Sequence, residues 1–314
     1  MHKFSIIGFG GHTQKNILPA FSRSNNLQID GVYVRDVSRY SELVNSHDLK
    51  CFSVTDIHLS PSDWFYISTP IASHYDLVKK CLLLKKNVIC EKPLTLSKTH
   101  VTELFNIADD NNVTLYEVDM YKHHRQFKHL KKATIENFSD LKSLSVKFSI
   151  PHLADNDIRY SPSMGGGALR DVGYYPISLI TSLFNFPSNI NSSIFSEIRY
   201  EVDLSGSALF TYDNFYCVAE WGIGQPYSNN VKLITKNAEL SYDRIFSKPH
   251  NFETAVRTKE TAGMEEKLIG QDDQFLNMLS HITESPEEDF IRNRQTSILV
   301  HDVIDLVKAN GPYS

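Results

Sequence analysis

A lysine at the end of a strand, and a carboxylate placed one helical turn before a phenol, are the side chains in this sequence best suited to chemistry. Asn87-Val88-Ile89-Cys90-Glu91-Lys92-Pro93 runs four strand-forming residues into an acid, a lysine and a proline. Proline gives no N–H to a ladder and keeps the residue before it out of the α region, so Lys92 should leave the sheet extended or in a turn. Lys92-Pro93 is also a candidate cis bond. Open α/β sheets place ligands in the crevice at the carboxyl ends of their strands, which is where Lys92 would project. Taken alone, the stretch reads equally as an ordinary strand exit with a solvated lysine.

The second stretch runs from Ser161 to Ile177 and contains Gly165-Gly166-Gly167-Ala168-Leu169. Its three glycines allow tight backbone approach, and the helical segment that follows puts Asp171 and Tyr175 on one face at i, i+4. The competing reading has Asp171 binding backbone at a helix start and Tyr175 as packing.

A third stretch suits an anion. Lys3-Phe4-Ser5-Ile6-Ile7 leads into Gly8-Phe9-Gly10-Gly11-His12-Thr13 and then a helix-like segment from Gln14 to Arg23, in which Pro19 is expected to introduce a kink. Strand, glycine turn and helix N-terminus together make a phosphate cradle, because unpaired backbone N–H groups and the helix dipole face the anion. Thr13 stands where the GxGxxG fingerprint has its third glycine. The next strand, Gln28 to Val34, ends at Arg35-Asp36. An acid there suits a ribose 2′-OH and an arginine suits a 2′-phosphate. Arg35 arrives first, which favours NADPH, while Asp36 keeps NAD open. A surface Arg-Asp pair capping a helix from Val37 to Asn45 is the alternative.

The elements that must position these residues alternate. Trp64 to Ser68 reads as a buried strand ending at Thr69-Pro70. A helix from about Ser73 to Lys85 follows, with Tyr75, Val78, Leu82 and Leu83 at helical spacing. Ser97 is a candidate N-cap for a helix to Asp110, and Thr114 to Val118 forms a further strand. Strands alternating with helices imply an α/β class and a doubly wound parallel sheet of the Rossmann kind over residues 1–118. After a short helix around Phe127 to Ala133 the pattern changes to period two. Leu144 to Ile150, Ile194 to Val202, Ala208 to Tyr212, Tyr216 to Trp221 and Val231 to Thr235 read as strands of a largely antiparallel, open sheet. This second α/β domain is expected over residues 119–314. A face carrying Phe210, Tyr216 and Val218 is a candidate contact between copies, with burial under helices as the competing account. Helices from about Asp272 to His281 and Arg292 to Ala309 close the chain, and packing of the last one against the first domain is left open.

Composition bounds the function. The 314 residues suffice for two domains, and a net charge of −5 with 41% hydrophobic residues is ordinary for a soluble globular protein. There is no basic stripe for nucleic acid. No apolar run reaches membrane-spanning length, and the N-terminus goes directly into a short strand, so a cytoplasmic protein is expected. Cys51, Cys81, Cys90 and Cys217 form no CxxC pair, and His123-His124 with His129 lacks the spacing of a helical metal site, so no metal is expected.

Together, the glycine turn from Gly8 to Thr13, Thr69-Pro70 with His74, Glu91-Lys92-Pro93, and Gly165 to Leu169 with Asp171 and Tyr175 resemble the Gfo/Idh/MocA family of nicotinamide-dependent oxidoreductases. The resemblance covers nearly the whole chain in the right order. It implies a Rossmann domain followed by an α/β domain whose sheet often mediates homodimers or homotetramers. It also implies cofactor contacts from Gly8, Gly10, Gly11, His12, Thr13, Arg35, Thr69, Pro70, His74, Glu91, Lys92 and Pro93. Many members similar to inositol dehydrogenases carry His where this chain has Tyr175. Tyrosine there resembles the branch containing glucose-fructose oxidoreductase, dihydrodiol dehydrogenases and nucleotide-sugar 3-ketoreductases. Glu117 to Gln126, Phe148 to Pro151 and Asp157 to Tyr160 look most like the 3-ketoreductases, which places His124 and Arg159 near the substrate.

Reducing a ketone needs a hydride on carbon, a proton on oxygen and stabilisation of the developing alkoxide. Tyr175 is the expected proton donor. Lys92 would hydrogen-bond the carbonyl oxygen or Tyr175, and Asp171 would orient Lys92 or a substrate hydroxyl. The leading expectation is NADPH-dependent reduction of a nucleotide-linked keto-sugar. A dehydrogenase of free sugars, polyols or dihydrodiols and a catalytically silent nucleotide sensor remain as alternatives.

Overall fold

The computed structural model describes residues 1–197, 200–284 and 287–311. They divide into two compact units, one made of Met1–Val118 with Phe275–Ile298, the other of Asp119–Gln274 with the chain from Leu299 onward.

In the first unit, β1 (His2–Ile7), β2 (Leu27–Val34), β3 (Cys51–Ser53), β4 (Trp64–Ile67), β5 (Asn87–Cys90) and β6 (Leu115–Glu117) form one sheet in the order β3-β2-β1-β4-β5-β6. Every pairing is parallel. The strands read as apolar runs because crossover helices cover both faces of a parallel sheet; all four residues of β4 are buried. The crossovers are α1 (residues 11–22), α2 (Val37–Asn45), α3 (His74–Leu83) and α4 (Lys98–Asp110). Strand order reverses between β1 and β4, which makes their carboxyl ends the crevice of the sheet. Ser97 caps α4 by accepting the His100 N–H. β3 has only three residues, too few for its alternation to show in the sequence.

The expected kink at Pro19 takes a different form. Helix α1 runs through the proline, but Thr13–Ile17 is wound as a π-turn just before it. In a regular α-turn the Pro19 ring would press on the Lys15 carbonyl and leave it without a donor. The wider turn absorbs that conflict.

In the second unit, β7 (Leu141–Ile150), β8 (Asn189–Glu197), β9 (Val202–Thr211), β10 (Tyr216–Ile223), β11 (Ser228–Thr235), β12 (Ala238–Asp243), β13 (Thr254–Glu260) and β14 (Gly263–Gly270) form a sheet ordered β14-β13-β12-β11-β7-β10-β9-β8. Only β7 and β10 pair in parallel; the other pairings are antiparallel. Helix α5 (Arg125–Glu136) and a long helix α6 over residues 168–184 belong to this unit. Its core is continuous, with Leu144, Val146, Ile177, Ile180, Trp221 and Leu233 almost fully buried. The helices α7 (Gln274–Glu284) and α8 (Glu287–Asn310) complete the chain.

The strand expected from Ile194 to Val202 includes residues 198 and 199, which lie outside the described residues; β8 ends and β9 begins on either side of them. Phe210 does not share a face with Tyr216 and Val218. Antiparallel register sets Tyr216 opposite Thr211, so Phe210 falls opposite Cys217 and both are fully buried. Leu209, opposite Val218, takes the outward place and is 38% exposed.

No helix among the described residues is long and apolar enough to cross a membrane. No group of three or more His, Cys, Asp or Glu among them could hold a metal ion.

Candidate active site

The residues expected to bind a dinucleotide lie at the carboxyl ends of β1, β2, β4 and β5. Gly8 follows β1 with φ of 97°, and a Cβ there would come within 2.4 Å of the Ser68 carbonyl oxygen, so the turn admits only glycine. Gly10 and Gly11 are exposed, and a Cβ on either would meet nothing within 4 Å. Helix α1 starts here, so its first N–H groups open onto that space. Thr13 is buried in the place of a third glycine, with its hydroxyl 3.4 Å from the Gly8 carbonyl. At the end of β2, Arg35 is exposed, whereas the Asp36 carboxylate caps α2 by accepting the Arg39 N–H at 3.0 Å and the Ser38 hydroxyl at 2.7 Å. These hydrogen bonds lower the Asp36 pKa. The capping role weighed for the Arg35-Asp36 pair thus falls on Asp36.

Lys92 leaves the sheet on a segment fixed on both sides. Glu91 extends the ladder by donating its N–H to Ile67 O at 2.9 Å. Its carboxylate accepts from the Tyr66 hydroxyl at 2.5 Å and from His12 Nε2 at 2.7 Å. Burial alone would raise the Glu91 pKa, but the charge and hydrogen bond of His12, the Tyr66 hydroxyl and the Lys92 charge outweigh it and bring it to about 2. Beyond the lysine, the Lys92-Pro93 bond is cis. The Leu94 N–H donates to the buried Glu117 carboxylate at 2.7 Å. Glu117 also accepts from Ser297, while its backbone N–H and carbonyl are bonded to Asn293. His74 is buried between two carbonyls, Nδ1 at 3.0 Å from Pro93 O and Nε2 at 2.8 Å from Thr69 O. A neutral ring can donate to only one of them, and burial nonetheless pushes His74 towards the neutral form against both carbonyls and the nearby carboxylates. Thr69 also accepts from the Ser73 hydroxyl at 2.8 Å, so the Thr69-Pro70 turn, His74 and the Lys92 segment form one bonded set.

In the second unit, the glycine turn and α6 form a platform. Gly167 has φ of 116°, and its N–H donates to Arg159 O at 2.9 Å. The Asp203 carboxylate caps the helix by accepting the Leu169 N–H at 2.6 Å. Burial raises its pKa, against the pull of that N–H and of Arg170. Leu169–Gly173 is a π-turn, followed by an α segment that carries Pro176, as in α1. Asp171 accepts from Arg159 Nε at 2.5 Å. Tyr175 is half-buried against Phe148, Phe246 and Tyr121, with ring centroids 5.1, 5.2 and 6.3 Å away. The Tyr121 hydroxyl is 2.9 Å from Ser178 Oγ. Arg159 is thus bonded to Asp171 at the helix start, four residues before Tyr175.

His124 lies at the head of a different helix. Its Nδ1 accepts the Gln126 N–H at 3.0 Å, so a neutral ring carries its proton on Nε2. That nitrogen is buried with no hydrogen-bond partner among the described residues, and neither Gln126 Oε1 nor the Gln274 amide has one. Burial and the Lys248 charge depress the His124 pKa to about 3.

Tyr66 and Glu117 brace the lysine segment, Asp157 and Asp203 brace the second glycine turn, and the sequence alone assigns none of them such a role. Glu117 carried a usable signal. A carboxylate at the end of an apolar strand is costly to bury unless hydrogen bonds meet it.

Comparison with known proteins agrees with this layout. Residues 2–119 match the model of an oxidoreductase family with an NAD-binding Rossmann fold, and residues 136–240 match the GFO/IDH/MocA C-terminal domain. The chain is 26% identical over 281 residues to a dTDP-3,4-didehydro-2,6-dideoxy-α-D-glucose 3-reductase of Streptomyces violaceoruber, covering 87% of this chain and 81% of the relative. It is 28% identical over 216 residues to D-xylose 1-dehydrogenase (NADP(+)) 2 of Haloferax volcanii, covering 67% and 66%. Its fold is similar to that of a 3-ketoreductase from Actinomadura kijaniata solved with NADP and TDP-benzene, with a TM-score of 0.92 at 22% identity over 99% of this chain and 98% of the other. With both domain models matched in order, the chain belongs to the Gfo/Idh/MocA family of oxidoreductases.

Proposed function

We propose that this protein reduces a keto-sugar carried on a nucleotide, using NADPH. The choice of substrate rests on how far each likeness extends. The four relatives named as dTDP-sugar 3-reductases match over 87–88% of this chain, whereas those named as xylose and scyllo-inositol dehydrogenases match over 67% and 69%.

The residues present fit a dinucleotide. The open space over Gly10 and Gly11 at the head of α1 suits a pyrophosphate, and Gly8 lets the turn approach β4. Arg35 is exposed at the end of β2 while Asp36 is engaged in a cap, which favours a 2′-phosphate over a bare 2′-OH. Thr69, Pro70, His74, Glu91 and Pro93 shape the floor beside them. When bound, the reduced nicotinamide supplies a hydride.

The chain's own residues do the rest. Lys92 donates a hydrogen bond to the carbonyl oxygen of the substrate and stabilises the negative charge that develops there. Tyr175 gives its hydroxyl proton to that oxygen. Packing against Tyr121, Phe148 and Phe246 fixes its ring. Asp171 orients a sugar hydroxyl. His124 offers a buried N–H donor to the same substrate domain. The outward face of the large sheet, with Leu209 and Tyr216 exposed, would join two or four copies.

Titration with NADPH and NADH, repeated on Arg35→Ala, tests the cofactor assignment. Tighter NADPH binding that weakens about tenfold in the variant is expected, roughly 1.4 kcal/mol for the lost phosphate contact. Preference for NADH with no effect of Arg35 would move the ribose contact to Asp36. A second reading, oxidation of free sugars or polyols, is favoured by the likeness to the xylose dehydrogenase. Turnover of free sugars with NADP⁺ and none of nucleotide keto-sugars would select it.

A further inference from the structure

We propose that Arg159 is a positioning residue for this reaction, locking Asp171 and the helix start that presents Tyr175; the inference rests on the ketoreductase reading above. Arg159 grips the turn at two places. Its carbonyl accepts the Gly167 N–H at 2.9 Å, and its Nε donates to Asp171 Oδ2 at 2.5 Å. The Asp171 N–H closes the loop on Gly167 O at 3.2 Å. Nothing larger than glycine fits between, since a Cβ on Gly166 would lie 2.5 Å from Arg159 O.

Arg159 is itself braced. Asp157 accepts its backbone N–H at 3.0 Å and its Nη1 at 3.2 Å. The preceding loop is stapled by Tyr160, whose hydroxyl accepts the Leu153 N–H at 3.1 Å and lies 2.8 Å from His152 Nδ1. The Tyr160 ring stacks on Tyr200 at 4.2 Å, and the Tyr200 hydroxyl donates to Asp155 at 2.9 Å. One guanidinium therefore serves two carboxylates through different nitrogens, a geometry an ammonium cannot reproduce. The Asp171 side chain is only 20% exposed, and the guanidinium beside it favours its charged form. Arg159 thereby acts on catalysis through Asp171.

The test compares Arg159→Gln, Arg159→Lys and Arg159→Ala with the wild type, measuring kcat and KM for a nucleotide-linked keto-sugar across pH together with NADPH affinity. The expected result is a fall in kcat of roughly 10- to 100-fold, as for a misplaced catalytic group, with KM and NADPH affinity nearly unchanged. The acid limb of the kcat profile should move to higher pH, because Asp171 without its cation protonates more readily. Guanidinium ion should rescue Arg159→Ala, and Arg159→Lys should stay impaired. A rise in KM with kcat intact would make Arg159 a substrate contact, and an unchanged acid limb would leave it a merely structural brace; either result overturns the proposal. If the Arg159 variants fail to fold, Asp157→Asn, which loosens the brace and keeps the pair, must show a smaller shift of the same limb. A wild type that reduces no nucleotide keto-sugar is a separate failure, that of the ketoreductase reading itself.

Discussion

The molecule contains two glycine turns that each lead into a helix opening with a π-turn and carrying a proline soon after, at Pro19 and at Pro176. They resemble each other in sequence and differ in what fills them. Over Gly10 and Gly11 there is open space, and the helix N-terminus faces it. At the second turn, Arg159 O crowds Gly166, Asp203 Oδ1 crowds Gly167, and the Asp203 carboxylate already accepts the Leu169 N–H. A helix N-terminus attracts an anion in either case. The second turn holds its own anion, whereas the first leaves its space open. On the proposed function, the first turn takes the cofactor and the second is a rigid mount for Asp171 and Tyr175.

That contrast can be broken by adding side chains to each turn. Gly11→Val should fold, because the space is open, yet lose NADPH affinity by about 100-fold, equivalent to roughly 2.7 kcal/mol; thermal unfolding and a cofactor titration together check it. Gly166→Ala should do the reverse. Its Cβ has no room beside Arg159 O, so a loss of about 1–3 kcal/mol of stability is expected by denaturant unfolding, with NADPH affinity retained. If Gly11→Val unfolds the protein, or Gly166→Ala abolishes cofactor binding without loss of stability, the two turns do not divide the work this way.

Removing the internal anion gives a smaller effect. Asp203→Ala should lose about 1 kcal/mol, as expected for an N-cap. The last test concerns pH and Glu91, which links the first turn to the lysine segment through His12. Its pKa falls from an ordinary 4.5 to about 2 in the folded protein, so its stabilisation is complete above 4.5 and is lost as pH drops towards 2. Acid unfolding of Glu91→Gln should therefore be flatter than wild type across that window and parallel to it above. Equal slopes would remove the charged pairing from the account.

Much of the fold was legible because its signals were local. Strands β4 and β5 are short, mostly apolar runs with a proline three residues beyond their ends, β1 ends directly at Gly8, and Ser97 announced α4 one residue ahead. The sheet of the second unit was harder. Strand β14 is mostly exposed on both faces, so it carries no alternation to read, and the short β12 is half-buried along most of its length with no clear alternation either. The misplacement of Phe210 came from register, which depends on how the β9–β10 turn sets the pairing and not on composition. At the site, glycine, proline and lysine could be singled out because each constrains backbone or charge by itself. Asp203 could not, since its role depends on the N–H of Leu169, which lies far away in sequence.

On the proposed function, Lys92 and Tyr175 act together in reducing a nucleotide-linked ketone. The most direct measurement follows oxidation of NADPH on mixing it with a TDP-linked 3-keto-sugar and the wild type, Tyr175→Phe or Lys92→Ala. The account predicts turnover by the wild type, a loss of about 10²–10⁴ in kcat for Tyr175→Phe with NADPH affinity preserved, and a larger loss for Lys92→Ala. Wild-type turnover in Tyr175→Phe, or only a mild loss in Lys92→Ala, would contradict it.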